Sequence, residues 1–334
     1  MFPFIKKKDD SKDQDKEEVK EKKTRKRRKK AEPPKPWSKR ERIIVFMFLV
    51  GTFMTSTVLA VRSNQPPALP HPLNETGKVI GKAISRQTFN VDELKNELIN
   101  KTKSTGGTYG IWAEDLSGAY KLGLNEKMNF NGASLFKLPL LIAYYKEVDE
   151  GKIDPNTMYS LKYSDATSGS GNLASLPPGT TLTYRDIVSA MGKNSDNTAF
   201  QIIGNIVGWG NVDATIQEIG MTGTSFENGT TTAEDIGLLF SKLAKGGLIS
   251  NSSKQALIDS LKNTNNENLI PAGIPDTIEV AHKYGAIDGE LNDAGIVYSG
   301  SPFIIVILGK DKNQNEASQA IAQISEIVYN WTTK

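Results

Sequence analysis

The feature that most constrains this chain is the run from Ile43 to Val61, nineteen residues without a charge behind a densely basic segment. A stretch of that length and character is close to what a helix needs to cross a bilayer. The 42 residues ahead of it hold 18 Lys and Arg against 9 Asp and Glu, a net of +9, which leaves −6 for the residues after the run in a chain of net +3. The positive-inside rule therefore sets the N-terminal side in the cytoplasm and the remainder outside. Taken alone, Arg25-Lys26-Arg27-Arg28-Lys29-Lys30 reads as a nucleic-acid patch, but its place directly ahead of an apolar run gives the better explanation. Val58-Leu59-Ala60 resembles a small-residue cleavage site, so a cleaved signal peptide competes with an anchor. A leader of 42 residues is much longer than signal peptides carry, which favours the uncleaved anchor.

Four regions follow. Residues 1–42 mix charges, lack a periodic apolar face and contain Pro33, Pro34 and Pro36, the composition of a disordered cytoplasmic tail. Residues 43–61 are the transmembrane helix. Residues 62–85 are Pro-rich and polar, a spacer holding a domain off the membrane. Residues 86–334 form the globular unit. With no cysteine, that unit has no disulfide, thiol nucleophile or thiolate metal site, and its fold must hold by packing. The only histidines are His71, in the Pro-rich spacer, and His282. A Ser-His-Asp triad and a histidine-ligated zinc site are both poorly supported, so no metal or cofactor is expected.

Within the globular unit the patterns predict a helix over Val91 to Lys103, then strands over Thr108 to Leu116 and Ala119 to Leu124 around a turn at Asp115 to Gly118. A largely polar stretch follows a helix near Ser134. Helical periodicity returns over Thr183 to Met191, Asn197 to Val207, Val212 to Ile219, Ala233 to Ala244 and Ser252 to Leu261. Glu279 to Lys283, Ala294 to Tyr298 and Phe303 to Leu308 read as strands, and Ala317 to Trp331 as an amphipathic helix. Strands at both ends with helices between them predict an α+β fold in which the terminal strands share one sheet.

The chemistry centres on Ser134-Leu135-Phe136-Lys137, the only Ser-x-x-Lys in the chain. Residues three apart share a helix face, so Lys137 can reach the Ser134 hydroxyl and take its proton if burial lowers its pKa. Pro139 is best tolerated in a first turn, which starts the helix close to Ser134 and leaves the serine among unpaired N–H groups. Those donors favour the charge that develops when an alkoxide attacks a carbonyl. One such tetrapeptide is what chance supplies in a chain of this length. Two further clusters change the odds. Asn194-Ser195-Asp196-Asn197 opens a predicted helix, though it is also a good N-cap, and His282-Lys283-Tyr284-Gly285 ends a predicted strand, though it also suits a solvated strand end.

Ser-x-x-Lys, then Ser-Asp-Asn, then Lys-x-Gly is the set described for penicillin-binding proteins and serine β-lactamases. From about Gly107 onward the chain resembles the class A β-lactamase family. Ser168-Gly169-Ser170-Gly171, Leu176-Pro177-Pro178-Gly179, Leu182-Thr183-Tyr184-Arg185-Asp186, Thr230-Thr231-Thr232-Ala233 and Asn292-Asp293-Ala294-Gly295-Ile296-Val297 sit where similar runs occur in it. The resemblance implies an antiparallel sheet flanked by helices, with the site between the sheet and a helical subdomain. It makes Ser134 the acylated nucleophile and Lys137 its base or proton relay. Ser195, helped by Lys283, passes a proton to the leaving nitrogen, and Asn197 holds the substrate's side-chain amide. Tyr284 and Gly285 line the substrate, and the amides of Ser134 and of Ile287, just beyond Gly285, form the oxyanion hole. Two lysines facing one small site also depress each other's pKa, which keeps a neutral base available.

Two departures stand out. The family's Glu-x-x-Leu-Asn box, whose glutamate activates the deacylating water, is missing, because only Met221 to Gly229 separates the preceding helix from Thr230, and Glu227 lies too near that run to replace it. Without the loop, the floor of the site is expected to be open to larger substrates. Second, Tyr284-Gly285-Ala286 stands where the family has Thr-Gly followed by Ser or Thr, so hydroxyls that bind a substrate carboxylate are lost or moved. The reading is a membrane-anchored extracytoplasmic serine hydrolase acting on β-lactams or D-alanyl amides through an acyl-enzyme that deacylates slowly. The alternatives are a D-alanyl-D-alanine carboxypeptidase-like peptidoglycan hydrolase and a non-catalytic cell-wall binding protein. The topology has a direct test: protease added to intact cells stripped of their wall should remove everything beyond Arg62 and spare an N-terminal tag. A fully protected domain would contradict it.

Overall fold

The computed structural model describes residues 90–334. The tail, apolar run and spacer of the sequence reading lie outside the described residues, among which no helix is long and apolar enough to cross a membrane. Helix α1 (Val91–Thr105) starts where Asn90 caps it, its side chain accepting from the Glu93 amide, with Asp92 and Glu93 in the first turn. Leu94 and Leu98, one turn apart, are fully buried. Strands β1 (Thr108–Asp115) and β2 (Lys121–Leu124) make the expected hairpin. The second strand starts later than its pattern suggests because Asp115 Oδ1 accepts from the Ser117 and Ala119 amides at 2.8 and 3.2 Å, holding both in the turn.

A helical region comes next. It runs from β3 (Phe130–Asn131) through α2 (Lys137–Asp149) to a pair of short strands, β4 (Met158–Ser160) and β5 (Thr181–Thr183), inside the stretch that looked merely polar. It continues with α3 (Tyr184–Lys193), α4 (Asn197–Val207), α5 (Trp209–Ile219), β6 (Thr230–Thr231), α6 (Ala233–Lys245) and α7 (Asn251–Ser260). Residues Lys137 to Tyr145 of α2 are all buried, so this helix is the axis on which the others pack. It cannot be amphipathic there, and its sequence is not.

Three long strands then complete the sheet: β7 (Val280–Ile287), β8 (Glu290–Val297) and β9 (Phe303–Lys310), before helix α8 (Gln314–Thr332). The order is β2-β1-β9-β8-β7, every pairing antiparallel, so first and last strands share one sheet as expected. Phe303 to Leu308 reads as a continuous apolar run because both faces are covered. Phe303, Ile305 and Ile307 join Leu94, Leu98, Ile321 and Ile324 of α1 and α8, whereas Ile304, Val306 and Leu308 join Trp112 and the α6 residues Ile236 and Phe240. Each of those fully buried side chains contributes about 1.5–3 kcal/mol through burial. Helix α6 comes so close to the sheet that a Cβ on Gly237 would lie 2.3 Å from Trp112 Cδ1.

Strands β7 and β8 run further than their patterns suggested. They meet through Asp288-Gly289, where Gly289 takes φ +75°, a short turn the periodicity did not reveal. His282 and Lys283 are therefore inside a strand and not at its solvated end: they are 0% and 1% exposed. The His282 ring donates from Nδ1 to Asp293 at 2.9 Å and faces Thr264 Oγ1 and Glu267 Oε1 from Nε2 at 3.0 and 3.4 Å. Burial opposes its charge, yet Asp293 and Glu267 outweigh that and raise its pKa to about 9.

Candidate active site

The turn that carries Ser134 is shaped by backbone before any side chain acts. Ala133 takes φ +44° and its amide donates to Asn131 Oδ1 at 2.9 Å, after which Ala133–Phe136 coil as a single 3₁₀ turn. The α-helix begins only at Lys137, three residues later than the sequence reading, with Pro139 in its first turn as expected. Ser134 thus sits on the tight turn ahead of the helix, and Lys137 Nζ lies 2.9 Å from its Oγ.

Lys137 is 2% exposed and its amine also reaches Ser195 O at 2.6 Å, Ser195 Oγ at 3.1 Å and Asn197 Oδ1 at 2.7 Å. Lys283 Nζ donates to the same Ser195 Oγ at 2.8 Å and to Tyr284 O at 2.9 Å. One hydroxyl therefore bridges two buried amines. Burial lowers the Lys137 pKa to about 8 against the pull of Asp196. Burial and then the neighbouring Lys137 hold Lys283 well below the ordinary lysine range, opposed by Asp293. Ser134, Lys137, Ser195, Asn197 and Lys283, drawn from three distant stretches of sequence, form one hydrogen-bonded group.

The Ser195 corner is held by a residue that the sequence marks only as part of an N-cap. Asp196 caps α4 through Oδ1 to the Ala199 amide at 2.8 Å, while Oδ2 accepts from the Asn172 and Leu173 amides at 2.7 and 2.8 Å. That carboxylate ties the loop 168–173 under the site and keeps Ser195 at φ +53°. A Cβ on Gly171 would lie 2.1 Å from Asp196 Oδ2, which explains a glycine there. The Asn197 side chain is divided: Oδ1 faces Lys137 and Nδ2 donates to Ser168 O at 2.9 Å.

Across the site lies β7, an edge strand of the sheet. A Cβ on Gly285 would fall 2.9 Å from Gly132 O and 3.1 Å from Ser134 N, so the strand and the Ser134 turn meet backbone to backbone. The Asp288-Gly289 turn makes Ile287 and Glu290 the closing pair of a two-residue hairpin, which exchanges backbone hydrogen bonds. Alternate residues then turn their amides off the edge: His282 does so, donating to Leu261 O at 2.9 Å, and Tyr284 and Ala286 share its parity. The outward donor nearest Gly285 is therefore the Ala286 amide. Ile287 spends its amide within the hairpin and leaves its side chain 46% exposed. Tyr284 turns its ring to Lys283 Nζ, 4.5 Å from the centroid.

The floor is filled and not open. Asp235 gathers the short Met221–Gly229 turn by accepting from the Gly223 amide at 2.9 Å and Thr224 Oγ1 at 2.7 Å, and Ser225 and Thr230 exchange backbone bonds. This turn seats Phe226 edge-on to Phe136 (5.3 Å between centroids) and stacked on Trp209 (5.5 Å), with Phe200 at 6.4 Å. Phe200 in turn lies 5.7 Å from Lys137 Nζ. Aromatic rings thus occupy the side where a loop carboxylate was sought. Glu227 is exposed and lines a groove with Asp213, Gln217 and one side of Phe226.

A family model described as the beta-lactamase enzyme family matches residues 91–332. Beta-lactamase 3 of Bacillus cereus is 26% identical over 247 residues, covering 68% of this chain and 77% of that protein. The crystal structure of a beta-lactamase from Sphaerobacter thermophilus has a TM-score of 0.68 at 25% identity, covering 73% of this chain and 98% of that one. The acyl-enzyme complex of a PBP-A variant with penicillin G has a TM-score of 0.66 at 26% identity, covering 72% and 96%.

A base near pKa 8 works only when deprotonated. Acylation of Ser134 by a fluorescent penicillin should accordingly rise about tenfold per pH unit below pH 8 and level off above it. Lys137→Ala should flatten that profile. A rate in the native chain that does not change between pH 6 and 9 would contradict the assignment of Lys137.

Proposed function

Because the chain belongs to the beta-lactamase enzyme family, a family of serine hydrolases, we propose that it acylates Ser134 with β-lactams and D-alanyl amides and turns over only the latter at a useful rate. The observation that carries this reading is the environment of the Lys137 amine: Ser134 Oγ, Ser195 and Asn197 surround it, and none of these partners is a carboxylate. Neutral Lys137 takes the Ser134 proton as Oγ attacks the carbonyl carbon. The Ser134 and Ala286 amides receive the oxyanion. Ser195 gives its proton to the departing nitrogen and is resupplied from the lysine pair, completing the acyl ester.

Hydrolysis of that ester needs a second base, aimed at water. General-base help is worth about 10²- to 10⁴-fold, and here Phe200 borders the lysine, with Phe226 beyond it, on the side where that base would act. A β-lactam keeps its leaving nitrogen tethered and blocks the approach, so its adduct persists. A D-alanyl amide loses its amine product, which vacates room for water beside Lys137. Acylation by penicillin is supported by the likeness to PBP-A, whose variant forms an acyl-enzyme with penicillin G. The basic segment and uncharged run ahead of the domain support an anchored enzyme working outside the cytoplasmic membrane.

Fluorescent penicillin should label the purified protein once, at Ser134. Ser134→Ala should abolish labelling while the domain still melts cooperatively, and Lys137→Ala should slow it by about 10²- to 10⁴-fold. Labelling at another residue, or labelling indifferent to both changes, would refute the assignment.

A further inference from the structure

The side of the site along β7 has an unusual charge balance. Five segments frame the site, residues 131–137, 166–172, 195–197, 221–229 and 283–290, and their only basic side chains are Lys137 and Lys283. Both amines are buried behind Ser195 and engaged: Lys137 with Ser134, Ser195 and Asn197, Lys283 with Ser195 Oγ and Tyr284 O. Arg185 is the only arginine among the described residues. It reaches Asn156 and lines a different cavity with Tyr145 and Asp259.

From Tyr284 outward the strand offers no hydroxyl after the tyrosine, only the Ala286 methyl and the exposed Ile287 side chain. Beside Gly285 on β8, Asn292 is fully buried and committed, Nδ2 to Asn131 O at 2.8 Å and Oδ1 to the Gly309 amide at 3.2 Å. The next charges along the strand end are negative, and the cation opposite Glu290, Lys310 of β9, has its amine over the Phe130 ring at 5.2 Å. Asp288 sits in the hairpin turn, and the Glu290 carboxylate is fixed by the Asn131 amide at 2.7 Å, three residues from Ser134. A carboxylate brought against this edge would lose water, find no exposed cation on β7 itself and face two like charges.

We propose that the substrate group lying along β7 beyond Lys283 is uncharged, so that the natural substrate is a D-alanyl amide whose carboxyl end is blocked as an amide or ester or continues into further peptide. This rests on the acyl-enzyme reading and narrows it: the enzyme acts on internal or capped D-alanyl bonds in preference to those ending in a free carboxylate. Uncharged peptide groups match the edge, since the outward Ala286 and Tyr284 backbone groups pair with amides, and the apolar Ile287 covers the body of the next residue.

Penicillin G and its methyl ester differ in this charge and in one methyl group. Acylation of the purified protein by each, followed as intact mass, should proceed at least as fast with the ester as with the acid. Glu290→Gln, which removes the charge but keeps an acceptor for the Asn131 amide, should speed the acid several-fold and leave the ester within twofold. Ile287→Arg should speed the acid tenfold or more. An acid that acylates the native chain at least tenfold faster than the ester would overturn this inference and leave the acyl-enzyme reading standing. If neither compound formed an adduct on a domain that melts cooperatively, both would fall.

Discussion

Two amines buried side by side without a carboxylate between them form the constraint on which this site depends. Isolated charge in a protein interior is costly, and a lysine answers by giving up its proton. Lys283, almost wholly enclosed, is held well below the ordinary lysine range, while Lys137, which Asp196 supports, sits near pKa 8. On the proposed reading the pair stores a base and a proton route around one hydroxyl, Ser195, without histidine. A carboxylate placed against either amine would restore its charge and remove the base.

Such an arrangement survives only if backbone holds the amines where they cannot relax. The 3₁₀ turn at Ser134, the positive φ of Ala133 and Ser195, and the glycines at 171 and 285 are the devices that do so. Each is a local departure from regular structure, and each is braced by a longer-range contact. Asn131 ties the Ser134 turn to Glu290 and Asn292 of β8, and Asp196 ties the Ser195 corner to the loop below it. The sheet, buried on both faces, supplies the rigid edge against which those ties act.

Much of this was legible in the residue pattern. Helices with one apolar face, such as Asn197–Val207, and fully covered strands such as Phe303–Lys310 announce themselves through period and composition. The set Ser134, Lys137, Ser195 and Lys283 was readable through the resemblance to the class A β-lactamase family, since each cluster alone is little more than chance supplies. What the pattern concealed was set by hydrogen-bond parity and tertiary filling. Ile287 and Ala286 exchange roles because a two-residue turn decides which amides face outward, which composition does not reveal. Likewise the missing loop left no open floor, because Phe226, a single aromatic in a short turn, is swung against Phe136 and Trp209 by the Asp235 clasp. Asp196 looked like an N-cap and is one, but its second oxygen has a longer reach.

The central claim is that this domain forms an acyl-enzyme faster than it can hydrolyse it, because an aromatic floor stands where water would be activated. Rapid-quench intact-mass measurement after mixing with penicillin G tests this most directly. The account predicts an adduct that approaches one per chain and decays slowly, with hydrolysis showing a burst followed by a slow phase. Steady hydrolysis without a burst, with no adduct trapped on acid quench, would contradict it.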